Sequence, residues 1–226
     1  MTGALLLATP GDTRWVAGVA PILRDLGFDV HTDTPAPNAA ADIGLVIAGA
    51  ATRIPDTLLR AWRATGPVCA VVLPADAVPV PGADEAVIAC LREPVTEAAI
   101  VAMLARQRYL ALSPREAAGI APAIAAQTFG NRAFAAELVH ALVTSTQADL
   151  AQLRTTDGAL DTVRSVAHRL KSSAHYVGCH TLRAFAQRLE HAAGDGDAAN
   201  AAALAAIVAP TVARLLSLLA ALPSEK

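Results

Sequence analysis

The stretch VAHRLKSSAHYVGCHTLRAFAQRLEHA, residues 166–192, decides the fold of the second half of the chain. Its apolar residues before Gly178 recur at helical spacing and form one stripe of roughly 100°. Gly178 is expected to end this helix and to let a second one begin. At 100° per residue, His168 lies about 150° from the centre of the stripe, so its imidazole points away from the core. The stretch therefore predicts two packed helices with an exposed histidine on the first.

Cations and small hydroxyls surround His168 on the predicted helix surface. Positions three, four and seven apart lie along one face of a helix. The residues that this spacing places near His168 are Arg164, Ser165, Lys171, Ser172 and His175. Exposed histidines on basic helix faces are common, so these residues alone define no site. A zinc site on His175 and Cys179 is an alternative, but Gly178 is expected to break the helix between them, and no further residue has ligand spacing.

The wider pattern extends over both predicted helices. At fixed spacing, His168 is followed by Leu170, Lys171, Gly178, Leu182, Leu189 and Glu190. This pattern resembles the motif of the histidine phosphotransfer (HPt) domain of bacterial two-component phosphorelays, and the similarity covers about residues 117–222. Ser172 stands where the family usually has glycine, and a residue this small still lets a partner approach.

The resemblance implies that His168 accepts a phosphoryl group from one receiver-domain aspartate and donates it to another. It also implies that Glu190 accepts a hydrogen bond from Nδ1–H of His168, which leaves Nε2 as the nucleophile. From the residues alone, a solvated carboxylate at Glu190 remains open. The residues expected to neighbour the phosphoryl group or the docked partner are Arg164, Arg169, Lys171, Ser172, His175 and Gly178.

The chain contains no Walker or G-x-G phosphate-binding loop, so the resemblance implies a phosphohistidine carrier without an ATP-binding domain of its own. It is expected to be free-standing or the C-terminal part of a hybrid sensor histidine kinase. Its partners would be response-regulator receiver domains and a histidine kinase. Mg²⁺ would belong to the receiver, and no cofactor or metal to this chain. The alternatives are a docking or scaffold module that binds a kinase or regulator without being phosphorylated, and a metal-dependent enzyme.

Short apolar runs alternate with helical segments in the first half and predict a parallel sheet. The predicted strands are residues 4–8, 29–33, 43–49, 68–73 and 85–91, and the helices are 13–27, 56–66 and 96–110. Their order resembles a receiver domain, although a generic flavodoxin-like domain is the alternative. Ala8-Thr9-Pro10, Ile47 or Ala48, and Glu93 stand where receivers carry acidic residues, the phosphorylated aspartate and a lysine. We therefore expect a degenerate receiver that is not phosphorylated and that serves docking or homodimer contacts.

The second half predicts only helices, at about residues 115–126, 131–153, 158–176, 179–194 and 197–221. Pro210 is expected to kink the last helix or to split it near Val208. Four substantial helices with short connections predict an antiparallel four-helix bundle. The fold class is therefore α/β plus all-α, with a receiver-like domain at 1–110, a linker at 111–116 and the HPt bundle at 117–226.

Composition excludes several classes of protein. The net charge of −2 and the lack of a long basic run argue against a nucleic-acid partner. Three widely spaced cysteines suit free thiols in a reducing cytoplasm. The apolar runs are too short for a signal peptide or for a membrane span of about 18 continuous apolar residues. The chain is therefore expected to be cytoplasmic.

Overall fold

The structure is a computed structural model that describes residues 2–9, 13–33, 42–52, 66–77, 88–156 and 158–222. The chain divides into two compact units, Thr2–Tyr109 and Leu110–Lys226. The predicted helix at 56–66 lies, apart from Gly66, outside the described residues, as does the beginning of the predicted strand at 85–91.

The N-terminal unit is built on a parallel sheet. Its described strands are β1 (Thr2–Leu7), β2 (Phe28–His31), β3 (Ile43–Gly49), β4 (Val68–Leu73) and β5 (Ile88–Arg92), and its described helices are α1 (Arg14–Asp25) and α2 (Glu97–Arg106). The five strands lie in the order β2-β1-β3-β4-β5, and every neighbouring pair is parallel. This is the strand order of flavodoxin-like folds, and it confirms the predicted α/β fold class.

Apolar sequence explains why these segments form the core of the sheet. Every residue of β1 is buried, and six of the seven residues of β3 are buried. Continuous burial of this kind is typical of parallel strands that are covered on both faces. Helix α1 buries Trp15, Val19 and Leu23 at helical spacing, and the side chain of Thr96 caps α2 by accepting a hydrogen bond from the backbone N–H of Ala99.

The carboxyl ends of β1 and β3 lie side by side, since Leu7 is paired with Ala48. Ligands of open α/β sheets bind at such an edge. The hydroxyl of Thr52 donates a hydrogen bond to the carbonyl of Leu7 at 3.2 Å. Among the described residues, those that follow β1 and β3 have no ionisable side chain; they are Ala8, Thr9, Ala50, Ala51 and Thr52.

The C-terminal unit is helical. Its described helices are α3 (Pro114–Gln127), α4 (Arg132–Thr155), α5 (Leu160–Tyr176), α6 (His180–Gly194) and α7 (Ala198–Ala220). The last four pack in a ring in which each contacts the helices before and after it, and α7 closes back on α4. Because consecutive helices are joined by short turns, they run antiparallel. The predicted antiparallel four-helix bundle is therefore confirmed.

Helix α3 begins inside the segment that the sequence indicates as a linker. Ser113 and Glu116 form a capping box, in which the Ser113 side chain accepts from the Glu116 N–H and the Glu116 carboxylate accepts from the Ser113 N–H. The second carboxylate oxygen of Glu116 accepts from the backbone N–H of Thr181 at 2.8 Å. Glu116 thereby joins the start of α3 to the first turn of α6.

Helix α7 is continuous through Pro210. Of the two effects predicted for this proline, the split near Val208 is therefore wrong, and the kink stays a prediction. Buried side chains on both sides of the proline hold the helix in the bundle, and this packing outweighs the lost backbone hydrogen bond. By length and composition α7 is apolar enough to cross a membrane. Its sequence nevertheless contains no continuous apolar run of the length that a membrane span needs. Its core-facing side chains pack within the bundle; they include Leu204, Ile207, Val208, Leu215 and Leu219.

Candidate functional site

A tight turn at Gly178 brings α5 and α6 together. Gly178 has a φ of 71°, which glycine adopts without strain, and a β-carbon there would lie 3.3 Å from Cβ of Ala123. The buried faces of the two helices meet through aliphatic and aromatic side chains, among them Val166, Leu170, Leu182, Phe185 and Leu189. Because the helices run antiparallel, this packing sets the middle of α5 beside the last turns of α6.

His168 and Glu190 meet across these two helices. The His168 side chain is 62% exposed, and its Nδ1 lies 2.9 Å from Oε1 of Glu190. The other oxygen of the same carboxylate, Oε2, accepts a hydrogen bond from Nζ of Lys171 at 2.6 Å. One carboxylate therefore holds both the imidazole and the ammonium group, while the opposite edge of the imidazole is left for solvent or a partner.

The protonation of Glu190 determines which ring nitrogen of His168 carries the proton. Burial by itself would raise the pKa of Glu190, but the hydrogen bonds from Lys171 and His168, together with their charges, outweigh it and lower the pKa. An ionised carboxylate can only accept hydrogen bonds, so Nδ1 of His168 must carry the proton. In the neutral ring the lone pair is then on Nε2. The contact thus fixes the tautomer in which Nε2 has no proton and is the exposed ring nitrogen.

Arg169 is directed to a different helix from Glu190. Its Nε donates to Oδ1 of Asp149 on α4 at 2.7 Å, and its Nη2 donates to Oε1 of Gln152 at 2.8 Å. Asp149 is only 4% exposed. Neither of these partners on α4 was predicted from the sequence, which placed Arg169 near the phosphoryl group or the docked partner. The available signal in the sequence was Asp149, because a buried acidic residue on α4 needs a partner of opposite charge.

Arg164 lies one turn before His168, on the side of α6. A β-carbon at Gly194 would stand 3.6 Å from Nε of Arg164, an ordinary van der Waals distance, so the Arg164 side chain lies beside Gly194 of α6. Gly194 follows Glu190 by four residues and lies on the same side of α6. Arg164 therefore shares the face of the bundle that carries His168 and Glu190.

An open depression lies between α5 and α6, toward the Gly178 turn. Its volume is about 200 Å³, and it is lined by Lys171, Ser172, His175, Tyr176 and Arg183. The hydroxyl of Ser172 donates to the backbone carbonyl of His168 at 3.3 Å. Ser172 and His175 are among the residues predicted from the sequence to neighbour a docked partner. Tyr176 and Arg183 are not among them, because their position in this depression depends on the packing of α6.

The pairing of His175 with Cys179 that a zinc site would need is not seen. Cys179 is 1% exposed, and burial, together with the charge of Glu116, raises the pKa of its thiol to about 12. Within the part of the chain that the structure describes, no three His, Cys, Asp or Glu side chains stand close enough to hold a metal ion.

Comparison with protein families agrees with this geometry. Residues 137–225 match the family model of the Hpt domain, and the match includes His168, Lys171 and Glu190. No curated protein and no solved structure matches the chain significantly. The C-terminal unit therefore carries an Hpt domain, as the motif indicated. The family match does not extend into the N-terminal unit, so its resemblance to a receiver is not confirmed by it.

An Hpt domain gives the chain a histidine phosphotransfer role in two-component phosphorelays. The partners of that class of domain are receiver domains and kinases of the same relays.

Proposed function

We propose that His168 accepts a phosphoryl group on Nε2 from the aspartyl phosphate of one receiver domain and passes it to the aspartate of another. The observation that carries this proposal is the hydrogen bond between Nδ1 of His168 and the ionised carboxylate of Glu190, at 2.9 Å. It fixes the tautomer of an imidazole whose other edge is exposed. Such an arrangement suits attack on a phosphorus atom that a partner presents.

The proposed transfer balances without an external acid or base. Nε2 of the neutral imidazole attacks phosphorus, the bond between phosphorus and the aspartyl oxygen breaks, and the aspartate carboxylate leaves with the electron pair. The proton on Nδ1 stays in place, so the phosphorylated ring carries a positive charge, which the Glu190 carboxylate stabilises. In the reverse step the Nε2–P bond breaks, and the neutral imidazole is restored.

Lys171 is proposed to stabilise the phosphoryl oxygens. In the unphosphorylated protein its ammonium group is bound to Glu190 at 2.6 Å, one turn from His168. A doubly charged phosphoryl group on Nε2 would compete for this cation, and Arg164 lies on the same face of the bundle. The receiver is proposed to supply Mg²⁺ and the acidic residues that bind it, whereas this chain contributes the imidazole, the carboxylate and the cations.

The test is transfer of radiolabel from purified phosphorylated receiver domains to the chain. Wild type should acquire acid-labile, base-stable label, and His168→Gln should acquire none. His140→Gln is the matched control, since His140 is also exposed but lies on α4, and it should be labelled like wild type. Label that persists in His168→Gln would place the acceptor elsewhere. Receivers that bind the wild-type chain without labelling it would replace the relay by a docking function.

A further inference from the structure

The depression beside His168 has a chemical character of its own. Its lining residues lie on the face of α5 that continues from His168 toward Gly178 and on the first turn of α6. They bring an ammonium, a guanidinium, an imidazole, a hydroxyl and a phenol together, and none of them is acidic. His175 is two turns from His168, about 11 Å along the helix axis. Lys171 therefore lies at the end of the depression nearest to His168, and His175 marks the part that extends beyond the position proposed for the phosphoryl group.

Arg183 is a cation of this depression that has no ion-pair partner among the residues that the structure describes. Lys171 is already bound to Glu190, but Arg183 takes part in none of the ion pairs or side-chain hydrogen bonds among the described residues. A guanidinium is always charged, and its planar fork of donors matches a carboxylate. Beside it the ring of Tyr176 is 46% exposed and lies 6.1 Å from the ring of His175, measured between centroids. The guanidinium of Arg183 can bind a carboxylate, and the exposed ring of Tyr176 can contact the apolar part of the same side chain.

The depression falls inside the area that a docked partner would cover. A protein interface of standard size buries about 800 Å² on each partner, which corresponds to a disc of about 16 Å radius. A receiver whose aspartyl phosphate reaches Nε2 of His168 is centred on that residue. Its surface therefore extends over His175, Tyr176 and Arg183.

We propose that this depression binds an acidic side chain on the surface of the receiver domain, with Arg183 as its ion-pair partner and Tyr176 as its apolar wall. The inference rests on the proposed function and adds the feature by which the chain selects among receivers. Charge complementarity supports it, because the lining offers a guanidinium, an ammonium group and an imidazole and contains no carboxylate. A receiver that lacks an acid at this position leaves Arg183 desolvated and unpaired, and so it docks less well.

The experiment compares Arg183→Glu with Arg214→Glu in the full chain. Arg214 is also exposed but lies on α7, outside the depression. Each protein is labelled in two ways: by a panel of phosphorylated receiver domains, and by phosphoramidate, a small donor that transfers its phosphoryl group to histidine and releases ammonia. Arg183→Glu is expected to slow transfer from receivers about tenfold, as loss of a steering charge does. Its labelling by phosphoramidate is expected to equal that of wild type.

Two further measurements, at high salt and with a milder substitution, distinguish the effect of the Arg183 charge on docking from the effect of its side-chain shape. Between 0.15 M and 1 M salt the screening length falls from about 8 Å to about 3 Å. The difference in the rate of transfer from receivers between Arg183→Glu and wild type should therefore be smaller at 1 M salt. Arg183→Gln removes the charge without reversing it and should show a smaller defect of the same kind.

Three outcomes would overturn the inference. Equal transfer rates for Arg183→Glu and Arg214→Glu would mean that the depression has no part in docking, while the relay itself would stand. A parallel loss of phosphoramidate labelling in Arg183→Glu would mean that Arg183 acts on His168 and not on the partner. A wild-type chain that phosphoramidate labels but no receiver does would overturn the receiver relay, and the inference with it.

Discussion

Glu190 links the chemistry of the site to the stability of the bundle. Its hydrogen bonds from Lys171 and His168 lower its pKa in the folded chain, whereas an unfolded glutamate titrates near pH ~4.3. A carboxyl group with a lowered folded pKa contributes stability above the unfolded pKa and loses it as the pH falls through the folded value. We therefore expect wild type to be more stable than Glu190→Gln near pH 7, and this difference in the free energy of unfolding to shrink below about pH 4.

Urea unfolding of both proteins from pH 7 to pH 3 measures this difference. The control is the same comparison in a Lys171→Met background. In that background Glu190 has lost one of its two hydrogen-bond donors. The stability difference between Glu and Gln at position 190 should therefore depend less on pH. If the difference in the free energy of unfolding between wild type and Glu190→Gln were as large at pH 3 as at pH 7, Glu190 would not be an ionised hydrogen-bond acceptor.

At the scale of elements, the Asp149–Arg169 pair joins α4 to α5 directly beside the candidate nucleophile. Asp149 is almost fully buried, and Arg169 is its hydrogen-bond donor at 2.7 Å. Replacing Arg169 by leucine leaves a buried carboxylate without this donor. We expect the free energy of unfolding to fall by about 2 kcal/mol. Urea unfolding measures the loss, and phosphoramidate labelling of His168 should persist at the wild-type rate, because Arg169 is directed to α4.

A double-mutant cycle tests the origin of that loss. Asp149→Leu combined with Arg169→Leu should recover part of the stability, since no unpaired charge remains. Arg154→Leu, an exposed arginine of α4, is the matched control and should have little effect. If Arg169→Leu kept its stability but lost labelling, Arg169 would belong to the phosphoryl site, as the sequence analysis expected.

The His168–Glu190 and Asp149–Arg169 pairs also show which contacts can be predicted from the sequence and which cannot. The apolar stripe and Gly178 indicate α5, α6 and an exposed His168, because local spacing determines them. The contact between His168 and Glu190 followed from the family resemblance. The partners of Arg169 did not follow, because helical phase does not say on which flank of α5 the helix α4 lies. The split of α7 near Val208, one of the two effects predicted for Pro210, is wrong for a similar reason: burial in the bundle outweighs the local preference of proline.

At the scale of the whole molecule, the two units bury separate sets of apolar side chains. The sheet buries Leu5, Val46 and Ile47, and the bundle buries Phe185, Leu189 and Leu204. The first residues of the C-terminal unit are held within it, since the backbone N–H of Ala111 donates to the hydroxyl of Thr211 at 3.0 Å. A unit with its own core and satisfied ends is expected to fold by itself.

We therefore expect a chain that begins at Leu110 to fold cooperatively and to be labelled by phosphoramidate at the rate of the full chain. Circular dichroism during thermal unfolding measures the first property, and labelling beside His168→Gln in the same fragment measures the second. A fragment that fails to fold would mean that the bundle needs the sheet unit for its stability. A fragment that folds and is labelled normally, but accepts phosphoryl groups from receivers more slowly than the full chain, would assign the sheet unit to docking. This is the role expected of a receiver-like domain whose carboxyl edge, among its described residues, has no acid after β1 and β3.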